Sequence, residues 1–192
     1  MGKHERGYAR VARDLYPTPS WVVDCLDQHF ELKGQRVWEC AAGRGHMVRA
    51  LRKLGAHVLA SDVVKRRGID RRLDFVGQEP NPINPAGLDW IITNPPFGQG
   101  GRLAVAFIEA GLTRLAARSM LALLLPCDFD SASTRSHLFG KCPRFVGKIV
   151  LRRRVVWFKR HDGVREAPKE NTAWFLWNGR GIIERPRLLY AP

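Results

Sequence analysis

The sequence is poor in acidic residues. Asp and Glu together number 18 against 32 Lys and Arg, so the formal net charge is +14 and the sequence pI is about 10.5. A chain this basic is expected to meet polyanions, most simply nucleic acid, although many proteins that are merely basic have a similar balance. The charge therefore indicates a class of partner and nothing finer.

Cysteine is also scarce, and its spacing excludes the familiar frameworks. No two of the four cysteines have C-x-x-C spacing, and none forms a zinc pattern with the six histidines. We therefore expect reduced, mostly buried thiols of a cytoplasmic protein, and no metal site. The residues are Cys25, Cys40, Cys127 and Cys142.

Long apolar runs are missing. No segment approaches the ~20 residues that span a bilayer, and the longest run, Met120 to Pro126, has the length of a strand. The start of the chain, Met1 to Arg6, is polar, so we expect no signal peptide and no membrane partner. We predict a basic arm at 1–15 followed by a single domain at 16–192.

Strand and helix patterns alternate as far as residue 126, which predicts a parallel sheet with helices on both faces. Thr18 is expected to cap the first helix, with Pro19 at its first position and Gly34 beyond its end. The tail differs, because aromatic segments at 149–158 and 172–177 predict a hairpin. The other predicted strands are 36–40, 57–62, 88–94 and 120–125, and the other predicted helices are 47–54, 102–118 and a short one within 130–140.

Candidate ligand-binding residues end four of these predicted strands. They are Glu39 with Gly43 and Gly45, then Asp62, Asn94 and Pro126. In an open parallel sheet, ligands lie outside the carboxyl ends of the strands. These groups are therefore expected to line one edge and to form one site.

The corner Asn94-Pro95-Pro96-Phe97 is the most informative of them. Two prolines end the strand, because neither can donate to a ladder. The corner presents an amide, a proline carbonyl and an aromatic ring, which suit a planar amine: two acceptors for its N–H groups and a flat surface for its ring. The alternative is a simple Pro-Pro turn with an exposed Phe97.

The two preceding strand ends suit a nucleoside with a cationic, amino-acid-like tail. Gly43 and Gly45 let the backbone approach a ligand, but Val48 replaces the third glycine of a dinucleotide fingerprint. Glu39 suits a cation rather than a pyrophosphate, and Asp62 can accept from ribose hydroxyls. A cap or turn role for Asp62 is the alternative. S-adenosyl-L-methionine fits this description.

At this point the chain resembles class I S-adenosylmethionine-dependent amino-methyltransferases of DNA. Tyr16-Pro17-Thr18-Pro19, the segment from Glu39 to Gly45, Asp74-Phe75 and the Asn94 corner each match a family motif. The resemblance implies a Rossmann-like methyltransferase fold with a mostly parallel seven-stranded sheet and an antiparallel C-terminal hairpin. It implies that the cofactor contacts Tyr16, Thr18, Pro19, Glu39, Ala41, Gly43, Gly45, Asp62, Asp74, Phe75 and Asn94, and that Asn94, Pro95, Pro96 and Phe97 are catalytic.

Two departures from the family pattern matter. Cys40 stands where the family often has proline, and no dedicated target-recognition domain follows Phe129. Loops and arms would then contact the nucleic acid. The tail offers the candidates Arg152, Arg154, Lys159, Arg160, Arg165 and Lys169, although a charged, solvated edge strand is the alternative for the arginine run.

The resemblance favours methyl transfer to the N6 amine of adenine in DNA, on a base that is flipped out or single-stranded. Phe97 would stack on the base, while the Asn94 oxygen and the Pro95 carbonyl accept the amine hydrogens. Three alternatives stay open: the same reaction on RNA, methylation of a protein glutamine, and a non-catalytic nucleic-acid-binding module.

Overall fold

A computed structural model describes residues 16–77, 83–157, 170–181 and 185–191. The predicted arm at 1–15 lies outside this range, as do four of the predicted nucleic-acid-binding residues. These are Lys159, Arg160, Arg165 and Lys169.

The described residues form one eight-stranded sheet with the order β3-β2-β1-β4-β5-β7-β6-β8. The first five strands of this order run parallel, β7 runs antiparallel to both β5 and β6, and β8 pairs parallel with β6. The strands are β1 (Arg36–Glu39), β2 (His57–Asp62), β3 (Arg71–Arg72), β4 (Trp90–Thr93), β5 (Met120–Pro126), β6 (Phe145–Leu151), β7 (Thr172–Asn178) and β8 (Arg187–Ala191).

In the described parts of the chain, three α-helices cover the two faces of the sheet. They are α1 (Ser20–Asp27), α2 (His46–Lys53) and α3 (Arg102–Arg114). Buried residues of α1 and most of those of α2 belong to one apolar cluster, and the buried apolar side chains of α3 belong to a second cluster. Val48 of α2 packs instead with Ala42, Ala60 and Ile69. Short 3₁₀ turns connect the other elements at Pro85–Gly87, Gln99–Gly101, Phe129–Ser131 and Ser133–Leu138.

The core follows from the twofold alternation of side chains along each strand. In β7, Trp174 packs into the first cluster, whereas Phe175 and Trp177 pack into the second. Strands buried on both faces need nearly continuous apolar sequence, which is why β5 and β7 are so hydrophobic. No helix in the described ranges is long and apolar enough to cross a bilayer.

The predicted α/β class is confirmed: the sheet is mostly parallel, helices cover both faces, and the C-terminal strands include an antiparallel pair. The sheet has eight strands rather than seven. The sequence pattern does not reveal β3, because it contains only two exposed arginines. Nor does it reveal β8, an edge strand whose side chains are mostly exposed.

Several local predictions are wrong. The first helix ends at Asp27, well before Gly34, and the helix predicted at 102–118 ends at Arg114. Thr18 is not the N-cap of α1, because Pro19 holds that position and the cap has no side-chain hydrogen bond. The predicted strand at 149–158 ends at Leu151, and Arg152 and Arg153 form a bend. The backbone there turns away from the ladder, so the arginines do not alternate between the two faces of a strand.

Candidate functional site

A cavity of about 500 Å³ lies at the carboxyl ends of β1, β2 and β4. This is the position at which an open parallel sheet binds ligands. Most of the sequence-predicted residues line it, namely Tyr16, Thr18, Glu39, Ala41, Gly43, Asp62, Asp74, Phe75, Asn94 and Pro96. Five residues predicted for this edge do not line it: Pro19, Gly45, Pro95, Phe97 and Pro126.

Glu39 is a buried carboxyl group at the end of β1. Its Oε1 accepts a 2.6 Å hydrogen bond from the Thr93 hydroxyl and a 3.0 Å bond from the Ala41 backbone N–H. Burial raises the pKa of Glu39 to about 8, and these two hydrogen bonds only partly oppose the effect of burial. At neutral pH this group is therefore largely protonated and uncharged.

A glycine turn connects β1 to α2. Gly43 and Gly45 have φ values of 54° and 73°, in the left-handed region that suits glycine. The Gly45 N–H donates to the Ala42 carbonyl at 2.7 Å, and the Gly43 N–H donates to Asp62 Oδ2 at 2.8 Å. The turn is thus attached to the end of β2, and Gly45 serves as the N-cap of α2.

The Asp62 carboxylate already accepts three hydrogen bonds from the protein, which the sequence does not indicate. A carboxylate offers about four acceptor positions. The Gly43 N–H occupies one on Oδ2, while the Val64 N–H at 2.8 Å and an Arg66 guanidinium nitrogen at 2.6 Å occupy Oδ1. One acceptor position of Asp62 therefore remains free, and a second would become free if Arg66 moved away.

Asp74 and Phe75 have different environments. Asp74 lines the cavity, and its Oδ1 accepts 3.1 Å hydrogen bonds from the backbone N–H groups of Val76 and Gly77. The ring of Phe75 is buried between those of Trp38 and Phe107, each with its centroid 5.1 Å away. Phe75 thus helps to build the wall of the cavity from the core side.

Asn94 is held from one side only. Its Nδ2 donates to Thr18 Oγ1 at 3.2 Å and to the Tyr16 carbonyl at 3.4 Å. Because a carbonyl can only accept, this contact fixes which end of the amide is the nitrogen. Asn94 Oδ1 is buried and has no hydrogen-bond partner in the described part of the chain.

Pro95 and Phe97 lie behind the cavity wall. Pro95 is buried, and its carbonyl accepts no hydrogen bond within the described ranges. The half-buried Phe97 ring packs against the second apolar cluster, and the Phe97 carbonyl accepts from the Leu103 N–H at 3.1 Å in the first turn of α3. To stack on a base, the Phe97 side chain would have to turn toward the cavity.

Arg135 secures the glycine-rich loop after this corner. Its guanidinium donates to the carbonyls of Gly100 and Phe129, each at 3.0 Å, and lies 3.9 Å from the centroid of the Phe129 ring. Gly101 lies so close to the Phe129 ring that a Cβ atom at position 101 would be 3.0 Å from Phe129 Cε2. The loop is thus locked to the segment that follows β5.

The arginine run of the tail contacts the protein. Arg152 Nε donates to the Ala191 carbonyl at 3.3 Å, and Arg154 Nε donates to Asn171 Oδ1 at 3.0 Å. The Arg153 guanidinium lies 4.9 Å from the centroid of a Trp21 ring. All three side chains are exposed, but each has a structural contact.

Two polar residues that sequence reasoning missed contact the predicted acids Glu39 and Asp62. Thr93 is the last residue of β4, and its contact with Glu39 depends on how β4 sits beside β1. Arg66 follows Asp62 by four residues, and that spacing of opposite charges was the available signal. Among the described residues, no group of His, Cys, Asp and Glu is placed to hold a metal ion.

No protein-family model and no curated protein matches the sequence. Solved structures do match. A candidate class I S-adenosylmethionine-dependent methyltransferase from Listeria monocytogenes has a TM-score of 0.59 at 15% identity, over 90% of this chain and 62% of its own. A candidate RNA methyltransferase from Pyrococcus horikoshii has a TM-score of 0.62 at 16% identity, over 92% of both chains.

The modification subunit of a candidate type I restriction enzyme from Vibrio vulnificus has a TM-score of 0.60 at 14% identity, over 91% of this chain and 46% of its own. This chain thus spans less than two thirds of the Listeria and Vibrio proteins. At such identities the likeness shows the fold, which is the α/β Rossmann-like methyltransferase fold.

Proposed function

We propose that the protein is an S-adenosyl-L-methionine-dependent methyltransferase that methylates the exocyclic N6 amine of adenine in DNA. The observation that carries this proposal is the buried, unpartnered Oδ1 of Asn94 beside the cavity. An unsatisfied buried acceptor costs about 1–3 kcal/mol, and a substrate N–H donor would remove that cost. The remote partners Thr18 and Tyr16 occupy the nitrogen, so only the oxygen is left for substrate.

The cavity residues fit the cofactor. Glu39 offers a buried carboxyl group, and a cationic ammonium bound beside it would lower its pKa and favour the charged carboxylate. The Gly43 turn lets the backbone come close, and Asp62 has an acceptor position for a ribose hydroxyl. S-adenosyl-L-methionine, when bound, supplies an electrophilic methyl group on a sulfonium that is already a good leaving group. A metal or an activated nucleophile in the protein is therefore not needed.

The corner residues prepare the amine. Asn94 Oδ1 accepts a hydrogen bond from one amine N–H, and the Pro95 carbonyl accepts from the other once the corner has shifted, because Pro95 does not line the cavity in this structure. The two hydrogen bonds draw the nitrogen lone pair out of conjugation with the ring. The Asn94 acceptor is preorganised, because Thr18 orients the Asn94 amide. Phe97 turns to stack on the extruded base, a contact worth about 1–3 kcal/mol.

DNA is the preferred substrate, because the Asn94 corner resembles that of adenine-N6 enzymes of DNA and the chain is strongly basic. RNA is the second candidate. The Pyrococcus protein, a candidate RNA methyltransferase, is similar in structure to this chain over 92% of both chains. The corner contacts the base and not the sugar, so substrate assays must decide between the two polymers.

The test is a panel of duplex DNA, single-stranded DNA, ribosomal RNA and transfer RNA with labelled cofactor and nucleoside mass spectrometry. We expect N6-methyladenine in DNA. Label that appears only in RNA or only in protein would refute the DNA assignment.

An Asn94→Ala variant tests the role of the corner. It should lose transfer while it retains its affinity for the cofactor, because the Asn94 oxygen acts on the amine. Asn84→Ala, at an exposed site outside the cavity, is the control and should remain active. Full activity of Asn94→Ala would contradict the proposed role.

A further inference from the structure

Exposed cations form a strip on the segment between β2 and β4, at Lys65, Arg67, Arg71 and Arg72. We propose that this basic strip binds the phosphodiester backbone of the polynucleotide whose base enters the cavity. The inference rests on the proposed function and adds the surface along which the substrate lies. The sequence-based candidates lay in the tail and in the basic arm, and this strip was not among them.

The strip carries charge that the protein does not neutralise. The side chains of Lys65, Arg67 and Arg71 have no partner among the described residues, and Arg72 Nε donates only to the Val63 carbonyl, at 3.3 Å. Cations without structural partners keep their full capacity to contact phosphate.

The nearby acids are already engaged. Asp62 is paired with Arg66 at 2.6 Å. Asp70 accepts from Arg52 at 3.2 Å and from the Ala60 N–H at 2.8 Å. A third nearby acid, Asp74, accepts only from the Val76 and Gly77 backbone N–H groups. Four cations against this one acid give the strip a net positive potential, which attracts a polyanion.

The position of the strip connects it to the cavity. Val64 and Arg66 flank Lys65 in the sequence and line the cavity, and Leu73 and Asp74, which follow Arg72, line it too. The basic strip thus runs along the cavity rim, where β3 forms the edge of the sheet. A strand whose base occupies the cavity would bring its flanking phosphates to this rim.

The arginine run of the tail provides a useful contrast. Arg152 contacts the Ala191 carbonyl, Arg153 lies over Trp21, and Arg154 contacts Asn171. To contact phosphate, those side chains would have to give up or share these structural contacts. The basic strip has no such cost for Lys65, Arg67 or Arg71, so it is the better phosphate-binding surface.

The test compares two triple variants of the full chain that remove the same charge. Lys65→Gln/Arg67→Gln/Arg71→Gln removes one lysine and two arginines from the basic strip. Lys33→Gln/Arg118→Gln/Arg180→Gln removes one lysine and two arginines that are also exposed. These control residues flank the starts of β1 and β5 and the end of β7. They therefore lie at the ends of the strands opposite to the cavity.

Binding to a fluorescent single-stranded oligonucleotide is measured across a range of salt concentrations. Each phosphate contact contributes about 0.7 to the slope of log K against log salt for a single strand. We expect the strip variant to bind at least tenfold more weakly, with the slope reduced by about 2, which is three contacts at 0.7 each. We expect the control to stay within about twofold of wild type. Equal losses in the two variants, or no loss in the strip variant, would overturn the proposal.

Two further measurements separate this inference from the proposed function. A charge-preserving variant, Lys65→Arg/Arg67→Lys/Arg71→Lys, should retain both affinity and slope, and a lower slope would count against the phosphate role. If no nucleic acid is methylated but only the strip variant loses affinity, the proposed function is contradicted and the phosphate-binding role of the strip is supported. If methylation occurs and the strip variant binds with wild-type affinity, the phosphate-binding role of the strip is contradicted and the proposed function is supported.

Discussion

Thr93 and Glu39 end neighbouring strands of the sheet, and the Thr93 hydroxyl donates a 2.6 Å hydrogen bond to Glu39 Oε1. This bond fixes the carboxyl group at the entrance to the glycine turn, where the same oxygen also accepts from the Ala41 N–H. The carboxyl group is fully buried, and its pKa is raised to about 8.

The Glu39 carboxyl group should make stability depend on pH. Its ordinary pKa is 4.5, and its value in the folded protein is about 8. The unfolded chain therefore loses this proton first, and stability falls as pH rises from about 4.5 to 8, by up to about 1.4 kcal/mol per pH unit.

Glu39→Gln removes this titration, so the variant should gain stability over wild type as pH rises through that window. Urea unfolding at several pH values measures the difference. Glu31→Gln, at an exposed position, is the control. A pH-independent difference between wild type and Glu39→Gln would show that the group is not protonated in the folded state.

Thr18 should orient the Asn94 amide. Thr18→Val keeps the shape of the side chain but removes the oxygen that accepts from Asn94 Nδ2. One such bond is worth about 1 kcal/mol, so we expect kcat for methyl transfer to fall about five- to tenfold. Cofactor affinity, measured by calorimetry, should change less. Thr18→Ser keeps the acceptor and should keep the rate, and equal rates in the Ser and Val variants would remove Thr18 from this role.

Arg66 should compete with the ribose for Asp62. Its guanidinium occupies an Asp62 oxygen at 2.6 Å in a half-buried ion pair. If both ribose hydroxyls are to reach Asp62, this pair must open, at a cost of up to about 1 kcal/mol. Arg66→Gln should therefore bind the cofactor up to about fivefold more tightly.

The exposed pair between Arg52 and Asp70 lies outside the cavity lining and supplies the control, Arg52→Gln. Asp62→Ala should weaken cofactor binding in the same assay. Weaker binding by Arg66→Gln would instead make Arg66 a ligand of the cofactor.

Arg135 should hold the loop that follows the Asn94 corner. Arg135→Ala removes donors to the Gly100 and Phe129 carbonyls and a cation placed over the Phe129 ring. We expect a loss of about 1–3 kcal/mol in urea unfolding, together with faster amide exchange at Leu103. Arg135→Lys keeps the charge but loses the two-carbonyl fork, so it should rescue only part of the loss. Unchanged exchange at Leu103 in Arg135→Ala would mean that the loop is held by other contacts.

Much of the fold was predictable because its signals are local. The strand at 57–62 was predicted with the bounds that the structure has, and α2 was placed within one residue at each end by its apolar stripe and by Gly55. The convergence of Glu39, Asp62 and Asn94 followed from the rule that parallel strands end at one edge, and the structure places all three on the same cavity. Their roles in binding and catalysis are still predictions.

The missed features depend on contacts between distant segments. Thr18 resembles a helix cap in its local sequence, but its hydroxyl accepts from Asn94, 76 residues later. β8 contains Leu188, Leu189 and Tyr190, but these residues do not alternate with polar ones, and the strand pairs with β6 while Leu188 and Tyr190 remain exposed. The arginine run follows a β-branched segment, and only the pairing of β6 shows that the strand has already ended at Leu151.

The place of β7 in the sheet has a consequence for biosynthesis. β7 lies between β5 and β6, and it buries Trp174 on one face and Trp177 on the other. A ribosome makes β5 and β6 first, so the apolar edge of β5 has no neighbour on that side until residue 178 has been added. An unpaired apolar strand edge is a template for aggregation. β5 therefore cannot complete its pairing within the sheet before β7 has been made.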